Sequence, residues 1–205
     1  MSLETVTLLD RRTNETVEAV LHMNLDRSRL VAVAIDWSPE RLRALQRRLE
    51  QEATATQLPE HAHWNWAVKT LRYAHLQGYR CLGIEANGKM QGLIMVSLSN
   101  HLARSDPDAG KPLVYVEFVE TAPWNDRTLT DDPVYKGVGR RLMQVVARLS
   151  VAESRDGRVG LHSLGQSKLF YTGACGMTAF GPDPDSDDLE YFELTAVQAQ
   201  ELMRD

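Results

Sequence analysis

The chain has 205 residues, of which 43% are hydrophobic and 25% are charged, with a formal net charge of −5. These proportions are typical of a soluble globular protein, and the acidic balance argues against nucleic-acid binding, which normally needs a basic surface. The two cysteines, Cys81 and Cys175, are too few for a disulfide framework and favour a cytoplasmic protein. No membrane association is expected, because no apolar run is long enough to span a bilayer and residues 1–10 do not resemble a signal peptide.

The N-terminal segment is predicted to form strands. Short β-rich runs at 5–9 and 17–22 indicate a hairpin, and the Val- and Ile-rich run at 30–35 predicts a further strand. We therefore expect residues 1–36 to form N-terminal strands or an extension packed on the core. Residues 37–205 are then the main domain, and the two together form one compact unit.

Two helices are predicted next. Ser38 followed by Pro39 is typical of an N-cap and a first helical residue, and leucines at helical spacing predict a helix over 39–52. Four arginines in this helix form either a solvated face, which is the more frequent arrangement, or a binding patch. These are Arg41, Arg43, Arg47 and Arg48. A second helix is predicted over 62–76, with Leu71 among its core-facing residues.

The middle of the chain is predicted to be a hairpin followed by a long strand. Asn87-Gly88 lies between two β-rich runs, and this pair favours a type I′ turn because both residues adopt positive φ. A polar loop follows over 104–112, and then a strand over 113–121. Alternation along this strand places two sets of side chains on opposite faces. One set is Tyr115, Glu117, Val119 and Thr121, and the other is Val114, Val116, Phe118 and Glu120.

Two glycines precede the next predicted helix. Gly137 and Gly139 stand in front of an amphipathic run with two predicted helix faces. The apolar face consists of Val138, Leu142, Val145, Val146 and Leu149, and the polar face of Arg141, Gln144 and Arg148. The first backbone N–H groups of a helix lack intrahelical partners and attract anions, and glycines let an anion approach closely. Lys136, Arg140 and Arg141 add positive charge, so a pyrophosphate is a natural ligand. Taken alone, a tight turn explains the glycines at least as well.

The C-terminal region is predicted to alternate strands and helices. Asp156-Gly157 ends the preceding helix, a short strand follows at 158–163, and a short helix closes near Gly176. Two last strands flank an acidic turn, and residues 195–203 form a final helix. The complete order predicts an α/β fold with a mixed sheet.

These motifs, in this order, resemble the GNAT superfamily of acyl-CoA N-acyltransferases over residues 64–194. The family motif of Arg or Gln, two residues, Gly, one residue, and Gly or Ala is matched at Gly137 and Gly139, with Val134 in its first position. A later family motif, Phe-Tyr followed by Gly-Phe, is matched with one additional intervening residue. Its four matched positions are Phe170, Tyr171, Gly176 and Met177. The resemblance implies a GNAT-like mixed, mostly antiparallel twisted sheet flanked by helices.

The resemblance also implies an acetyltransferase that moves an acetyl group directly from acetyl-CoA, as co-substrate, to a primary amine, without a metal. The acceptor would be a small-molecule or peptide amine, and exposed strands at the sheet end are compatible with a homodimer. In the family, backbone amides hold the cofactor and the thioester carbonyl. The corresponding residues here are Val119, Thr121, Lys136, Gly137, Val138, Gly139, Arg140 and Arg141.

Three residues are candidates for proton transfer in that reaction. Glu117 or Glu120 on the long strand would be the general base for the ammonium group, and Glu117 is favoured because it shares a face with Thr121. Tyr171 matches the family tyrosine that often lies near the thiol sulfur, so it is the candidate acid for the departing thiolate. Each candidate also has a purely structural explanation, an ion pair for the carboxylates and a packed aromatic for Tyr171.

Several alternatives stay open at this point. Cys175 fits a buried structural cysteine better than a nucleophile, since no histidine arrangement accompanies it. An insertion at 125–133 carries acidic residues that we hypothesise favour a cationic acceptor, namely Asp126, Asp131 and Asp132. The same fold would also suit a CoA-binding module without catalysis, or a toxin that acetylates aminoacyl-tRNA, although the acidic balance argues against the toxin.

Overall fold

The structure is a computed structural model in which residues 4–51, 58–73 and 76–204 are described. The chain divides into two compact units that interleave along the sequence. The first comprises Met1–Leu76, Arg80–Leu93 and Glu120–Gly139, and the second comprises Gln77–Tyr79, Ile94–Val119 and Arg140–Asp205. The predicted division between 1–36 and 37–205 falls inside the first helix, and it stays a prediction.

Within the described residues, nine strands form one sheet in the order β6-β1-β2-β3-β4-β5-β7-β9-β8. Their bounds are β1 Glu4–Asp10, β2 Glu15–His22, β3 Tyr79–Ala86, β4 Lys89–Ser97, β5 Val114–Thr121, β6 Tyr135–Lys136, β7 Val159–Ser163, β8 Thr178–Asp183 and β9 Leu189–Leu194. The helices are α1 Arg27–Glu50, α2 Trp66–Tyr73, α3 Val138–Ala152 and α4 Ala196–Arg204. β5 and β7 are parallel, whereas β1–β2, β1–β6, β2–β3, β7–β9 and β8–β9 are antiparallel. The predicted α/β fold with a mixed sheet is confirmed.

Both predicted hairpins are present. β1 and β2 pair along their whole length, from Glu4 opposite Leu21 to Asp10 opposite Glu15. Between β3 and β4, Asn87 has φ 52° and Gly88 has φ 71°. Two successive positive φ angles are what a type I′ turn requires, so the local sequence alone determines this turn.

The strand predicted at 30–35 is wrong, because these residues lie inside α1. Six residues of α1 recur every three or four positions and are buried on one face, which satisfies the apolar run as a helix. They are Leu30, Val33, Ala34, Trp37, Arg41 and Ala44. The N-cap is Asp26, whose carboxylate accepts the backbone N–H of Arg29 at 2.9 Å, rather than Ser38.

Pro39 therefore lies in the interior of α1 instead of at its start. Proline lacks the N–H that would bond to the carbonyl four residues earlier, here that of Ile35. Ile35 is on the exposed side of the helix, where water is available to this carbonyl. Ser38 Oγ donates to the carbonyl of Ala34 at 2.6 Å, which adds a hydrogen bond in the same turn. The helix continues past Pro39 because its buried face is uninterrupted.

The second predicted helix is shorter than expected. α2 covers 66–73, and positions 74 and 75 of the prediction lie outside the described residues. Trp66 and Thr70 are buried, but Leu71 is 55% exposed, so its predicted core position is wrong. Leu71 lies one position beyond Thr70 on the helix, and a rotation of about 100° per residue turns it away from the buried side.

The second unit is built around β5, α3 and β7. The five apolar residues predicted to form one face of α3 are all buried, as expected for an amphipathic helix. They are Val138, Leu142, Val145, Val146 and Leu149. Gln144, predicted on the polar face, is buried instead and donates to the carbonyl of Leu202 at 2.8 Å. α4 thus covers this part of α3, which satisfies the amide of Gln144.

The remaining elements follow the predicted order. The segment after β7 forms a 3-10 turn at Gly165–Ser167 and a π-helical turn at Phe170–Ala174, instead of one regular helix. β8 and β9 flank the acidic turn at Pro184–Ser186, and α4 ends the described chain. None of the helices within the described ranges combines the length and apolarity needed to cross a bilayer.

Candidate functional site

The predicted anion-binding segment consists of a strand end, a glycine turn and a helix start in direct succession. β6 ends at Lys136, Gly137 has φ +85°, and α3 begins at Val138. A side-chain Cβ at Gly137 would meet no atom within 4 Å, so the space beside it is open. The first turn of α3 contains no acidic residue, which leaves the positive end of the helix uncompensated by a carboxylate of its own.

Two arginines of this segment make contacts within the second unit. Arg140 Nε donates to the carbonyl of Ala174 at 2.9 Å, and Arg141 Nη1 donates to Gln144 Oε1 at 2.7 Å. Both guanidinium groups are thereby held close to the first turn of α3. Gly139 is the second residue of α3, so the predicted pair of glycines brackets the helix start.

The parallel strands β5 and β7 pair over only part of their length. Their register runs from Val114 opposite Val159 to Val116 opposite Leu161, and β5 then continues for five more residues to Thr121. The predicted backbone donors, Val119 and Thr121, lie in this continuation.

Glu117 is the first residue of β5 past the registered pairs. It is partly buried, and the hydroxyl of Tyr79 donates to its Oε1 at 3.3 Å. The side chain is on the same strand face as Tyr115, whose pKa is raised mainly by burial and further by the negative charge of Glu117. Glu117 thus combines partial exposure with a position at the strand opening, by which we mean the place where β5 continues beyond its last pair with β7.

Glu120 has a different environment in the first unit. It is 4% exposed, Oε1 pairs with the guanidinium of Arg41, and Oε2 accepts the indole N–H of Trp66 at 2.7 Å. Burial raises the pKa of Glu120, while Arg41 and the nearby His61 act in the opposite direction. Both carboxylate oxygens are engaged, so this group has the contacts of a structural ion pair.

Tyr171 lies in the π-helical turn and is buried. Its ring packs against Phe170 at 5.1 Å and Phe192 at 5.6 Å between centroids. Burial raises the pKa of Tyr171 well above its ordinary value, with a smaller contribution from Cys175. The hydroxyl therefore keeps its proton at neutral pH, and the raised pKa makes it a weaker acid than an exposed tyrosine.

Cys175 is 3% exposed, and burial raises its pKa to about 12. A thiol that stays protonated is a poor nucleophile, so the structural explanation of this cysteine is supported.

The acidic residues of the 125–133 insertion have protein partners. Asp126 Oδ2 lies 2.9 Å from His61 Nε2, and Asp126 Oδ1 accepts the Thr128 hydroxyl at 2.7 Å. Asp131 forms a bidentate pair with Arg48, at 2.8 and 3.2 Å. The carboxylates at 126 and 131 are thus largely compensated within the first unit. Over the described ranges, no group of three His, Cys, Asp or Glu is arranged to hold a metal ion.

Sequence reasoning missed a hydrogen-bonded set of side chains in the second unit. Tyr115 Oη lies 2.6 Å from His162 Nδ1, and His162 Nε2 lies 3.0 Å from Asp183 Oδ2. These residues belong to β5, β7 and β8, which are far apart in the sequence. The only local signal was the alternation that placed Tyr115 on the same face as Glu117. Asp183 lies in the acidic turn region, where sequence alone predicts solvation.

No protein-family profile and no curated protein matches this chain. Solved structures do match its fold. One is a GNAT-family acetyltransferase from Listeria monocytogenes, with TM-score 0.52 and 10% identity over 93% of this chain and 98% of that chain. Another is an uncharacterised protein from Bacillus halodurans, with TM-score 0.60 and 8% identity over 100% of this chain and 97% of that chain.

A third match is a chimera of the spermidine N-acetyltransferase SpeG from Vibrio cholerae and hSSAT. Its TM-score is 0.55 at 13% identity, over 89% of this chain and 98% of that chain. These matches cover nearly the whole of both chains. The chain therefore has the GNAT acetyltransferase fold, as the sequence motifs predicted.

Proposed function

We propose that this chain is an N-acetyltransferase that moves an acetyl group from acetyl-CoA to a primary amine by direct transfer. The observation that carries the proposal is the start of α3 at Gly137, within a β5–α3–β7 unit of GNAT fold. The open space at Gly137 and the acid-free first turn suit a pyrophosphate.

The cofactor would be held mainly by backbone. The N–H groups of Val138, Gly139, Arg140 and Arg141 belong to the first turn of α3, at the positive end of the helix dipole. The side chain of Lys136 adds positive charge to the positive end of the helix dipole. Acetyl-CoA would thus be bound without any metal.

The transfer itself needs three groups. The thioester carbonyl gains negative charge as the amine attacks, and backbone N–H groups between Val119 and Thr121 would stabilise it. Glu117 would accept the first proton of the ammonium group, because it is partly exposed at the strand opening whereas Glu120 is committed to Arg41. Tyr171 would protonate the departing thiolate, as the matching tyrosine of the family motif suggests.

The acceptor would be a cationic small molecule or a peptide amine. The net charge of −5 favours a cation through long-range attraction, and one structural neighbour is a spermidine N-acetyltransferase chimera. In the 125–133 insertion, Asp132 is exposed, whereas Asp126 and Asp131 are paired with His61 and Arg48.

The purified chain is expected to release CoA from acetyl-CoA only when an amine is present. Thiol release should be followed with polyamines, aminoglycosides and peptide N-termini, and mass spectrometry should show an acceptor heavier by one acetyl group. Binding of acetyl-CoA without transfer to any amine would instead indicate a non-catalytic CoA-binding module. Acetylation confined to aminoacyl-tRNA, with strongly salt-dependent binding, would indicate the toxin alternative.

A further inference from the structure

The second unit contains a chain of hydrogen bonds that the chemistry above does not use. Tyr115 Oη is 2.6 Å from His162 Nδ1, and His162 Nε2 is 3.0 Å from Asp183 Oδ2. Arg104 Nη1 contacts the same carboxylate at 2.7 Å. The side chains of His162 and Asp183 are each 9% exposed, so the hydrogen bonds between them are shielded from water.

The direction of these hydrogen bonds follows from the charge on Asp183. Hydrogen bonds from His162 and Arg104 lower the pKa of Asp183 to about 2, so it is a carboxylate at neutral pH and only accepts. His162 Nε2 must therefore carry a proton. In the neutral imidazole Nδ1 is then the acceptor, and the Tyr115 hydroxyl donates to it. The Tyr115 hydroxyl can therefore pass its proton to His162 Nδ1 when its oxygen takes up another proton.

This set lies where β5 and β7 stop pairing. The last registered pair is Val116 with Leu161, so Glu117 and His162 are the next residues on their strands. Tyr115 precedes Glu117 by two positions and shares its strand face. The proposed general base and the Tyr115–His162 pair are thus neighbours on one side of the strand opening.

We propose that Tyr115 accepts the second proton that the acceptor amine loses, with His162 as the group on which that proton comes to rest. Asp183 is the positioning residue that fixes the imidazole and stabilises its charged form. This inference rests on the proposed acetyl transfer.

The proton balance is complete. The ammonium gives its first proton to Glu117, and the neutral amine attacks the thioester carbon. The new C–N bond makes a remaining N–H acidic, and this proton passes to Tyr115 Oη while the tyrosine's own proton passes to His162 Nδ1. Collapse of the tetrahedral intermediate breaks the C–S bond, and Tyr171 protonates the thiolate. Exchange with water then restores His162 and Tyr171, and Glu117 releases one net proton.

Other charged and titratable groups lie near His162, on the loop that contains Arg104 and on β9. His101 stacks on the Tyr115 ring at 4.2 Å and Arg104 approaches from the same loop, while β9 contributes Tyr191, 5.1 Å from the His162 ring. Glu193 accepts the Tyr191 hydroxyl at 3.1 Å. A protonated His162 would face the carboxylate of Asp183 directly, and Arg104 contacts the same carboxylate.

The same cluster offers a matched control for a purely structural role. Glu193 accepts the backbone N–H groups of Arg104 and Ser105 at 2.7 and 3.0 Å, and Tyr191 also bonds to it. The Tyr191 hydroxyl therefore helps to anchor the loop to the sheet, whereas the Tyr115 hydroxyl bonds to His162. Tyr115→Phe and Tyr191→Phe each remove one hydroxyl from one polar network.

We expect Tyr115→Phe and His162→Gln to lower kcat by about 10²-fold or more, with KM for acetyl-CoA unchanged. Tyr191→Phe should change kcat by less than about threefold, because the hydrogen bond it removes goes to Glu193 and not to a group proposed to transfer a proton. A Tyr115→Phe variant with the turnover of Tyr191→Phe would overturn the inference.

A second readout does not depend on turnover. The ¹⁵N NMR spectrum of the His162 ring should show a proton on Nε2, and Tyr115→Phe should shift the Nδ1 signal while Tyr191→Phe leaves it in place. A proton on Nδ1 would contradict the proposed proton transfer from Tyr115 to His162. Absence of transfer in the unmodified protein would remove the proposed function and the catalytic role of Tyr115 together. Normal acetyl transfer by Tyr115→Phe would contradict only the proton transfer proposed for Tyr115 and His162.

Discussion

Replacing Glu117 with glutamine is expected to lower kcat for amine acetylation by about 10²–10⁴-fold, the usual contribution of a general base. Glutamine has nearly the same size and still accepts the Tyr79 hydroxyl bond through its carbonyl oxygen, so the strand should keep its packing. The amide cannot take a proton from an ammonium group. Affinity for acetyl-CoA, measured by titration calorimetry, should be unchanged because no contact to the cofactor is lost.

The control for this experiment is Glu190→Gln. Glu190 is also a partly buried glutamate on a strand of the second unit, and it pairs with Lys168 at 2.8 Å. Loss of such a partly exposed pair should leave kcat almost unchanged. Equal activity in Glu117→Gln and Glu190→Gln would mean that Glu117 is not the base.

Replacing Arg41 with methionine is expected to lower the free energy of unfolding by about 3–5 kcal/mol, because it leaves one member of a buried ion pair without its partner. Arg41 bonds to Glu120 and to the carbonyl of Trp64, and Glu120 also accepts from Trp66. Methionine fills much of the same volume but provides no charge. Urea denaturation followed by tryptophan fluorescence measures the change.

Two further variants make the Arg41 experiment specific. Arg43→Met on the same helix breaks an exposed pair with Glu40 and should cost no more than about 1 kcal/mol. Arg41→Met combined with Glu120→Gln should recover part of the loss, because no buried charge is then left alone. If Arg41→Met were as stable as Arg43→Met, the buried pair would have no structural importance.

The destabilisation by Arg41→Met should also depend on pH. Burial already raises the pKa of Glu120, and removal of Arg41 takes away a charge that lowers it. A carboxyl whose folded-state pKa is raised binds its proton more tightly in the folded than in the unfolded state, so its stability contribution is lost as pH rises. The variant should therefore be more destabilised relative to the unmodified protein at about pH 8 than at about pH 5.

Local chemistry predicted some parts of this fold well. The Asn87-Gly88 turn, the long strand β5 and the helix after Gly137 depend on residues adjacent in the sequence, and all three are present. The prediction failed at α1, where Pro39 looked like a helix start. There, burial of one continuous helical face outweighed the cost of an internal proline.

The candidate site also contains features that depend on neighbouring residues and features that depend on distant ones. The segment around Gly137 could be predicted because its geometry is set by neighbouring residues. The contacts of Glu120 with Arg41, and of His162 with Asp183, join residues from distant parts of the chain. No spacing rule in a single sequence encodes such pairs, since they depend on which strands and helices become neighbours in the folded sheet.

The most direct test of the proposed cofactor site is binding of acetyl-CoA by isothermal titration calorimetry to three proteins. These are the unmodified chain, Gly137→Asp and Gly110→Asp. Gly110 is the matched control, because its φ of +81° is close to the +85° of Gly137 and a Cβ at either position meets nothing within 4 Å.

We predict saturable binding to the unmodified chain and to Gly110→Asp. In Gly137→Asp, a carboxylate beside the helix start should weaken binding at least tenfold, about 1.4 kcal/mol. Equal affinity in all three proteins would place the cofactor elsewhere, and no binding to the folded, unmodified chain would contradict the acetyltransferase proposal.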